Sequence, residues 1–157
     1  MLTRESSVLL SWAQAEHLDS GPKTILVVDD DPEVRLSLGA RLCANHYEVI
    51  FAADGVTSIA EAREHKPNLI LLDLGMPSGD GYAVLEWLKS NKQLSSIPVV
   101  VLSGRDRHAN RGASLNAGAT AYLQKPVENE VLLATIRRVM GQPAVPGMLL
   151  AHDQDYR

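Results

Sequence analysis

Short, wholly apolar runs alternate along this chain with longer stretches in which apolar residues recur every three or four positions. Thr24-Ile25-Leu26-Val27-Val28, Leu69-Ile70-Leu71-Leu72 and Ile97 to Leu102 show no polar alternation, the pattern of strands buried on both faces. Glu48–Ala52 and Ala121–Leu123 are shorter strand-like runs, and the first strand is read as Lys23–Val28. Between them the period is helical. Pro32–Asn45 carries Val34, Leu38 and Leu42 on one stripe, with Asp31 as N-cap and Pro32 at the first helical position. A second helix opens at Asp54 or Gly55, presents Val56, Ile59, Ala60 and Ala62, and is ended by Pro67. Gly81–Asn91 places Tyr82, Leu85 and Leu88 on one side. Arg107–Ala117 is a weak helix, rich in Asn, Gly and Arg, with its stop at Gly118; Glu128–Met140 is the last, ended by Gly141.

Five strand–helix alternations predict an α/β fold, a doubly wound five-stranded parallel sheet with helices on both faces. In such sheets ligands and chemistry gather at the carboxyl ends of the strands, at the switch in strand order. The polar residues of this chain sit there. The first strand ends in Asp29-Asp30-Asp31, the third in Asp73 before Gly75-Met76-Pro77-Ser78-Gly79, the fourth in Ser103-Gly104, and the fifth in Gln124-Lys125-Pro126.

Composition narrows the reading. A chain of 157 residues has room for one domain of this size. With 45% hydrophobic and only 4% aromatic residues, its core must be aliphatic. A formal net charge of −4 and a pI near 5.7 give no whole-chain electrostatic reason to bind nucleic acid. Cys43 is the only cysteine, which excludes an intramolecular disulfide and suits a reducing cytoplasm. Val8-Leu9-Leu10 is too short for a signal h-region, and no stretch is long enough to insert in a membrane. Three segments follow: an N-terminal extension over 1–22, in which Val8, Leu9, Trp12 and Ala15 leave room for one helix over Glu5–Leu18; the domain over 23–141; and a tail over 142–157 whose Pro143, Pro146, Gly147 and polar end predict disorder.

Asp29, Asp30 and Asp73 at adjacent strand ends put three carboxylates in one pocket. Either a carboxyl there titrates high or a cation sits among them, and an oxygen-only set favours a hard cation such as Mg2+. Asp29-Asp30 also suits simple complementing of the helix dipole, and Asp31 fits a cap best. Asp73 is placed too early to cap the helix at Gly81, for which Asp80 or Ser78 is better sited, so it needs a partner. Lys125 is the candidate, as a functional ammonium or a plain structural ion pair. Ser103 fits either a site hydroxyl or a helix cap, and Tyr122 either a site aromatic or core filling. Pro126 fits a helix start or a cis bond in a tight turn.

Taken together, Val27-Val28-Asp29-Asp30, Asp73-Leu74-Gly75-Met76-Pro77 with Asp80-Gly81, Ser103-Gly104 and Tyr122-Leu123-Gln124-Lys125-Pro126 resemble the receiver domain of bacterial two-component response regulators, of the stand-alone type. The resemblance spans about Lys23 to Met140. It implies a flavodoxin-like (βα)5 fold with strand order 2-1-3-4-5. It implies Asp73 as phosphoacceptor, Asp29, Asp30, Asp73 and the Gly75 backbone carbonyl as Mg2+ ligands, Ser103 and Lys125 as the assisting hydroxyl and ammonium, and Tyr122 as the switch aromatic. It also implies a self-phosphorylating and self-dephosphorylating switch rather than a turnover enzyme. The implied partners are a histidine kinase or histidine phosphotransfer protein and a downstream protein target, with a homodimer left open. Relay intermediate, terminal output, docking module and fragment of a larger regulator all remain compatible with the sequence. A phosphohydrolase with an aspartate nucleophile would want a carboxylate where Gly75 stands, and a flavin binder would not put Asp29-Asp30-Asp31 in its phosphate loop.

Overall fold

A computed structural model describes residues 21–76, 81–104 and 107–143. The apolar runs form strands β1 (Thr24–Val28), β2 (Glu48–Ala52), β3 (Leu69–Asp73), β4 (Val99–Ser103) and β5 (Ala121–Gln124). The periodic stretches form helices α1 (Pro32–Cys43), α2 (Gly55–His65), α3 (Gly81–Ser90), α4 (Arg107–Asn116) and α5 (Asn129–Val139). Every strand pair is parallel and the order is β2-β1-β3-β4-β5, so the switch falls between β1 and β3 as expected. Successive side chains leave a strand on opposite faces. One layer of core therefore takes Leu26, Val28, Ile70, Leu72 and Val101 against Ala62 of α2 and Leu85 and Leu88 of α3. The other takes Ile25, Val27, Leu69, Leu71 and Val100 against Leu38 and Leu42 of α1 and Leu132 and Ile136 of α5.

Element ends follow local chemistry. Asp31 caps α1, its Oδ1 accepting the Glu33 N–H at 2.9 Å, and Asp54 rather than Gly55 caps α2, accepting the Thr57 N–H at 2.7 Å. Lys66 adopts the left-handed conformation (φ 44°) that stops α2 ahead of Pro67. β4 starts two residues later than the apolar run predicts. Pro98 has no N–H for the ladder, although its carbonyl accepts from Ile70 at 3.0 Å, and the Ile97 carbonyl is taken by the Lys89 ammonium at 2.8 Å. At its other end β4 gains Ser103, paired with Gln124. Gly81 begins α3 hard against the end of β3: a Cβ there would stand 2.6 Å from Leu74 Cα and 2.7 Å from the Asp73 carbonyl oxygen. The Lys125–Pro126 peptide is cis. The helix expected within residues 1–22 and the tail from 144 onward lie outside the described residues, as do Pro77, Ser78, Gly79, Asp80 and Arg105.

Candidate functional site: a carboxylate cluster at the switch in strand order

Asp73 closes β3, and Asp29 and Lys125 stand one residue beyond the ends of β1 and β5; they follow Leu71, Val27 and Leu123 by two positions. Strand alternation puts all three on the face that α1 and α5 cover. The switch in strand order makes β1 and β3 neighbours, so the two aspartates stand side by side at their carboxyl ends. One carboxylate oxygen from each of Asp29, Asp30 and Asp73 lies within 4.8 Å of the others. Asp29 and Asp73 are 2% and 8% exposed, while Asp30 faces solvent.

Asp29 is held by every polar group it has. Its N–H donates to the Ala52 carbonyl at 3.1 Å, and its carbonyl accepts from Arg35 Nη1 at 2.7 Å. Oδ1 accepts the Asp31 N–H at 3.0 Å and Oδ2 accepts from Lys125 Nζ at 2.6 Å. Asp73 Oδ1 accepts the Gly75 N–H at 3.0 Å and lies 3.7 Å from Lys125 Nζ. Lys125 thus spans both carboxylates, but its close partner is Asp29 rather than the Asp73 that the sequence suggests. The single near oxygen of Asp73 is already engaged by Gly75, whereas Asp29 Oδ2 is open to the ammonium. Lys125 itself is tied down by its N–H on the Ser103 carbonyl at 2.9 Å.

Burial pushes the Asp73 carboxyl above its ordinary value. The Gly75 N–H and the Lys125 ammonium oppose that shift, and the charges of Asp29 and Asp30 add to it. Both alternatives drawn from the sequence are therefore present together: a carboxyl that titrates high, and an oxygen-only donor set suited to a hard cation. Gly75 keeps one flank clear, since a Cβ there would meet Asp73 Oδ1 at 3.4 Å.

Ser103 is fully buried and sits one residue beyond the partner of Asp73 in the β3–β4 register. Tyr122 pairs with Val101 and is 5% exposed within the α2–α3 core layer. It lies in that core layer rather than in the acidic cluster. Asp31 caps α1 and is not among the clustered carboxylates. Arg35 is the participant that sequence reasoning misses. Its only signal is position, one turn into α1 beyond the Asp31 cap, from which a long side chain can fold back over the strand end.

A family model described as the response regulator receiver domain matches residues 25–137. The chain belongs to that family. Among its relatives, the response regulator PleD of Caulobacter vibrioides is 43% identical over 114 residues, which are 72% of this chain and 25% of PleD. Protein PilH of Pseudomonas aeruginosa is 35% identical over 116 residues, 74% of this chain and 96% of PilH. The crystal structure of a CheY-like receiver domain protein from Methanospirillum hungatei superposes with a TM-score of 0.71 at 34% identity, covering 77% of this chain and 95% of that one. This receiver thus spans a quarter of one curated relative and nearly the whole of another. Receivers are the signalling domains of two-component response regulators. Among the described residues no helix is long and apolar enough to cross a membrane.

Proposed function

We propose that this receiver, over residues 23–141, is a phosphoacceptor switch in which Asp73 takes a phosphoryl group from a phosphohistidine. The observation that carries this reading is the buried Asp73 carboxylate, flanked by Lys125 on one side, by Asp29 and Asp30 on another and by the open position of Gly75. An Asp73 oxygen attacks phosphorus, the O–P bond forms as the P–N bond to the donor imidazole breaks, and the imidazole leaves with a proton. Lys125 offsets charge on the transferred oxygens and its amide anchor on Ser103 fixes its approach. Asp29, Asp30 and Asp73 would hold Mg2+, with the Gly75 backbone carbonyl as a further ligand, and the bound ion would supply further neutralisation of those oxygens.

The product carries roughly −1.5 to −2 of charge on strong acceptor oxygens. That charge draws the Ser103 hydroxyl and Lys125 inward, and Tyr122, on the neighbouring strand β5, moves into the space released. The surface over α4, β5 and α5 then changes shape, a local charge event biasing a two-state element. The donor is a histidine kinase or histidine phosphotransfer protein. Leu36 (75% exposed) on α1 and Val56 (83% exposed) on α2 lie on the two helices that start beside the acidic cluster and give such a donor an apolar footing. The output is a downstream protein or a further phosphotransfer step, in the cytoplasm, and the chain switches rather than turns over substrate. Incubation with phosphoramidate and Mg2+ tests this: one phosphoryl group should add to the intact protein, and chelation of the metal or Asp73→Asn should prevent it. Full labelling of the Asp73→Asn protein would overturn the assignment.

A further inference from the structure

Lys125 reaches the carboxylates from just beyond the end of β5, so the place of its ammonium depends on how its main chain is held. Its own N–H is fixed on the Ser103 carbonyl at 2.9 Å. Past that point the loop into α5 has few means of its own to hold position. Pro126 has no N–H to donate, and Glu128, at the N-cap of α5, makes no side-chain capping bond. The tie comes instead from α1. Arg41, in its last turn, donates from Nη2 to the Val127 carbonyl at 3.0 Å and from Nε to Asn129 Oδ1 at 3.0 Å. One planar guanidinium thus fixes two acceptors, two and four residues past Lys125. Its charge complements the carboxyl end of α1 but not the amino end of α5, where Asn129 is the first residue. Directed hydrogen bonds, rather than dipole complementarity, therefore make the link.

The same helix grips the other member of the ion pair. Arg35, nearer the start of α1, donates to the Asp29 carbonyl at 2.7 Å, and Asp29 Oδ2 meets Lys125 Nζ at 2.6 Å. We propose that Arg41 is a positioning residue for Lys125. In this arrangement α1 is a strut that holds the ends of β1 and β5 at the spacing from which the ammonium spans Asp29 and Asp73. The consequence for Asp73 rests on the phosphoacceptor reading, in which Lys125 offsets charge on the transferred oxygens. A charged group shifted from its place at a reacting centre loses rate steeply. Loss of the Arg41 guanidinium frees the loop that carries Lys125 and so slows transfer to Asp73, although both of its bonds are made to that loop and not to the carboxylates.

The initial rate of labelling by phosphoramidate at saturating Mg2+ reads this role. Arg41→Ala should slow labelling several-fold, and Arg41→Lys, which serves one acceptor at a time, should fall between it and the parent. In a Lys125→Ala background, Arg41→Ala should have no further effect. Asn45→Ala, on the same side of the fold, loses only a side-chain bond to the Arg41 carbonyl at 2.8 Å; it should lower Tm without slowing labelling. The Lys125 ammonium resonance, assigned by its disappearance in Lys125→Ala, gives a readout that needs no phosphoryl transfer. It should be resolved in proton–nitrogen NMR spectra of the parent and broadened by exchange with water in Arg41→Ala. Equal labelling rates in the parent and Arg41→Ala, or the same proportional loss with and without Lys125, would overturn the proposal. Labelling of Lys125→Ala at the parent rate would instead remove the role given to that ammonium in the phosphoacceptor reading. The resonance then decides: broadened in Arg41→Ala it upholds the strut, and unchanged it overturns it.

Discussion

Each polar atom of Asp29 is matched by a partner, whereas among the described residues Asp73 keeps one carboxylate oxygen without such a bond and carries a carboxyl pushed up by burial first and by Asp29 and Asp30 after it. That asymmetry suits one residue to hold the pocket and the other to react in it. In the absence of divalent ions, Asp73→Asn removes a buried charge that its neighbours oppose and should stabilise the fold by on the order of 1 kcal/mol, read as a rise in Tm. Asp30→Ala should weaken Mg2+ binding about tenfold, whereas Asp31→Ala, which loses only a helix cap, should change it little; titration followed by intrinsic fluorescence distinguishes them. The strand-end carboxylates and Lys125 were legible because each closes an apolar run or precedes Pro126. The pairing of Lys125 with Asp29 was not, since it joins positions 96 residues apart and depends on which oxygen Gly75 occupies. Arg35 was invisible for a similar reason: a backbone carbonyl as acceptor leaves no mark on residue type.

At the level of elements, caps and close approaches set where the pocket walls stand. Asp54 lies in the loop after β2, on the same edge of the sheet as the site, and its carboxyl is held below its ordinary value by the Thr57 N–H first and the Thr57 hydroxyl second. A depressed folded-state value means that the cap's contribution is present above the unfolded value and is lost as pH falls through the folded one. Asp54→Ala should therefore lower Tm at neutral pH, and the gap to the parent should close as the solution is acidified below the ordinary aspartate range. Asp54→Asn keeps a capping acceptor and should preserve most of the neutral-pH Tm without that acid dependence. Gly81→Ala drives a methyl into Leu74 Cα and the Asp73 carbonyl, backbone that cannot swing aside; it should cost about 1–3 kcal/mol and slow labelling of Asp73. β1, β3 and β4 were legible as unbroken apolar runs because each is buried on both faces, whereas β2, with its exposed Glu48 and Phe51, showed only as a short run and the helices needed their caps and Pro or Gly stops as well as their period. Their ends shifted where one group overrode the pattern, as Pro98 did at the start of β4 and the Ser103–Gln124 pair did at its close.

Across the whole molecule, the sheet gathers three carboxylates at one edge, a cluster that could hold a hard cation. Mg2+ that binds only the folded receiver should raise its stability by about 2.7 kcal/mol at a hundredfold excess over Kd, and Tm should rise with Mg2+ in the parent protein but hardly at all in Asp30→Ala. Topology accounts for the arrangement: only the order β2-β1-β3-β4-β5 sets Asp29 and Asp73 on neighbouring strands with Lys125 reaching back from the far edge. The central claim is that one carboxylate, at position 73, takes the phosphoryl group. Phosphorylating the protein with phosphoramidate and Mg2+, reducing the acyl phosphate with borohydride and sequencing the peptides tests it most directly, because reduction leaves homoserine wherever phosphorus had been. Homoserine in place of Asp73 and nowhere else is the predicted result; homoserine at Asp29 or Asp30, or none in a protein that has taken up phosphate, would contradict it.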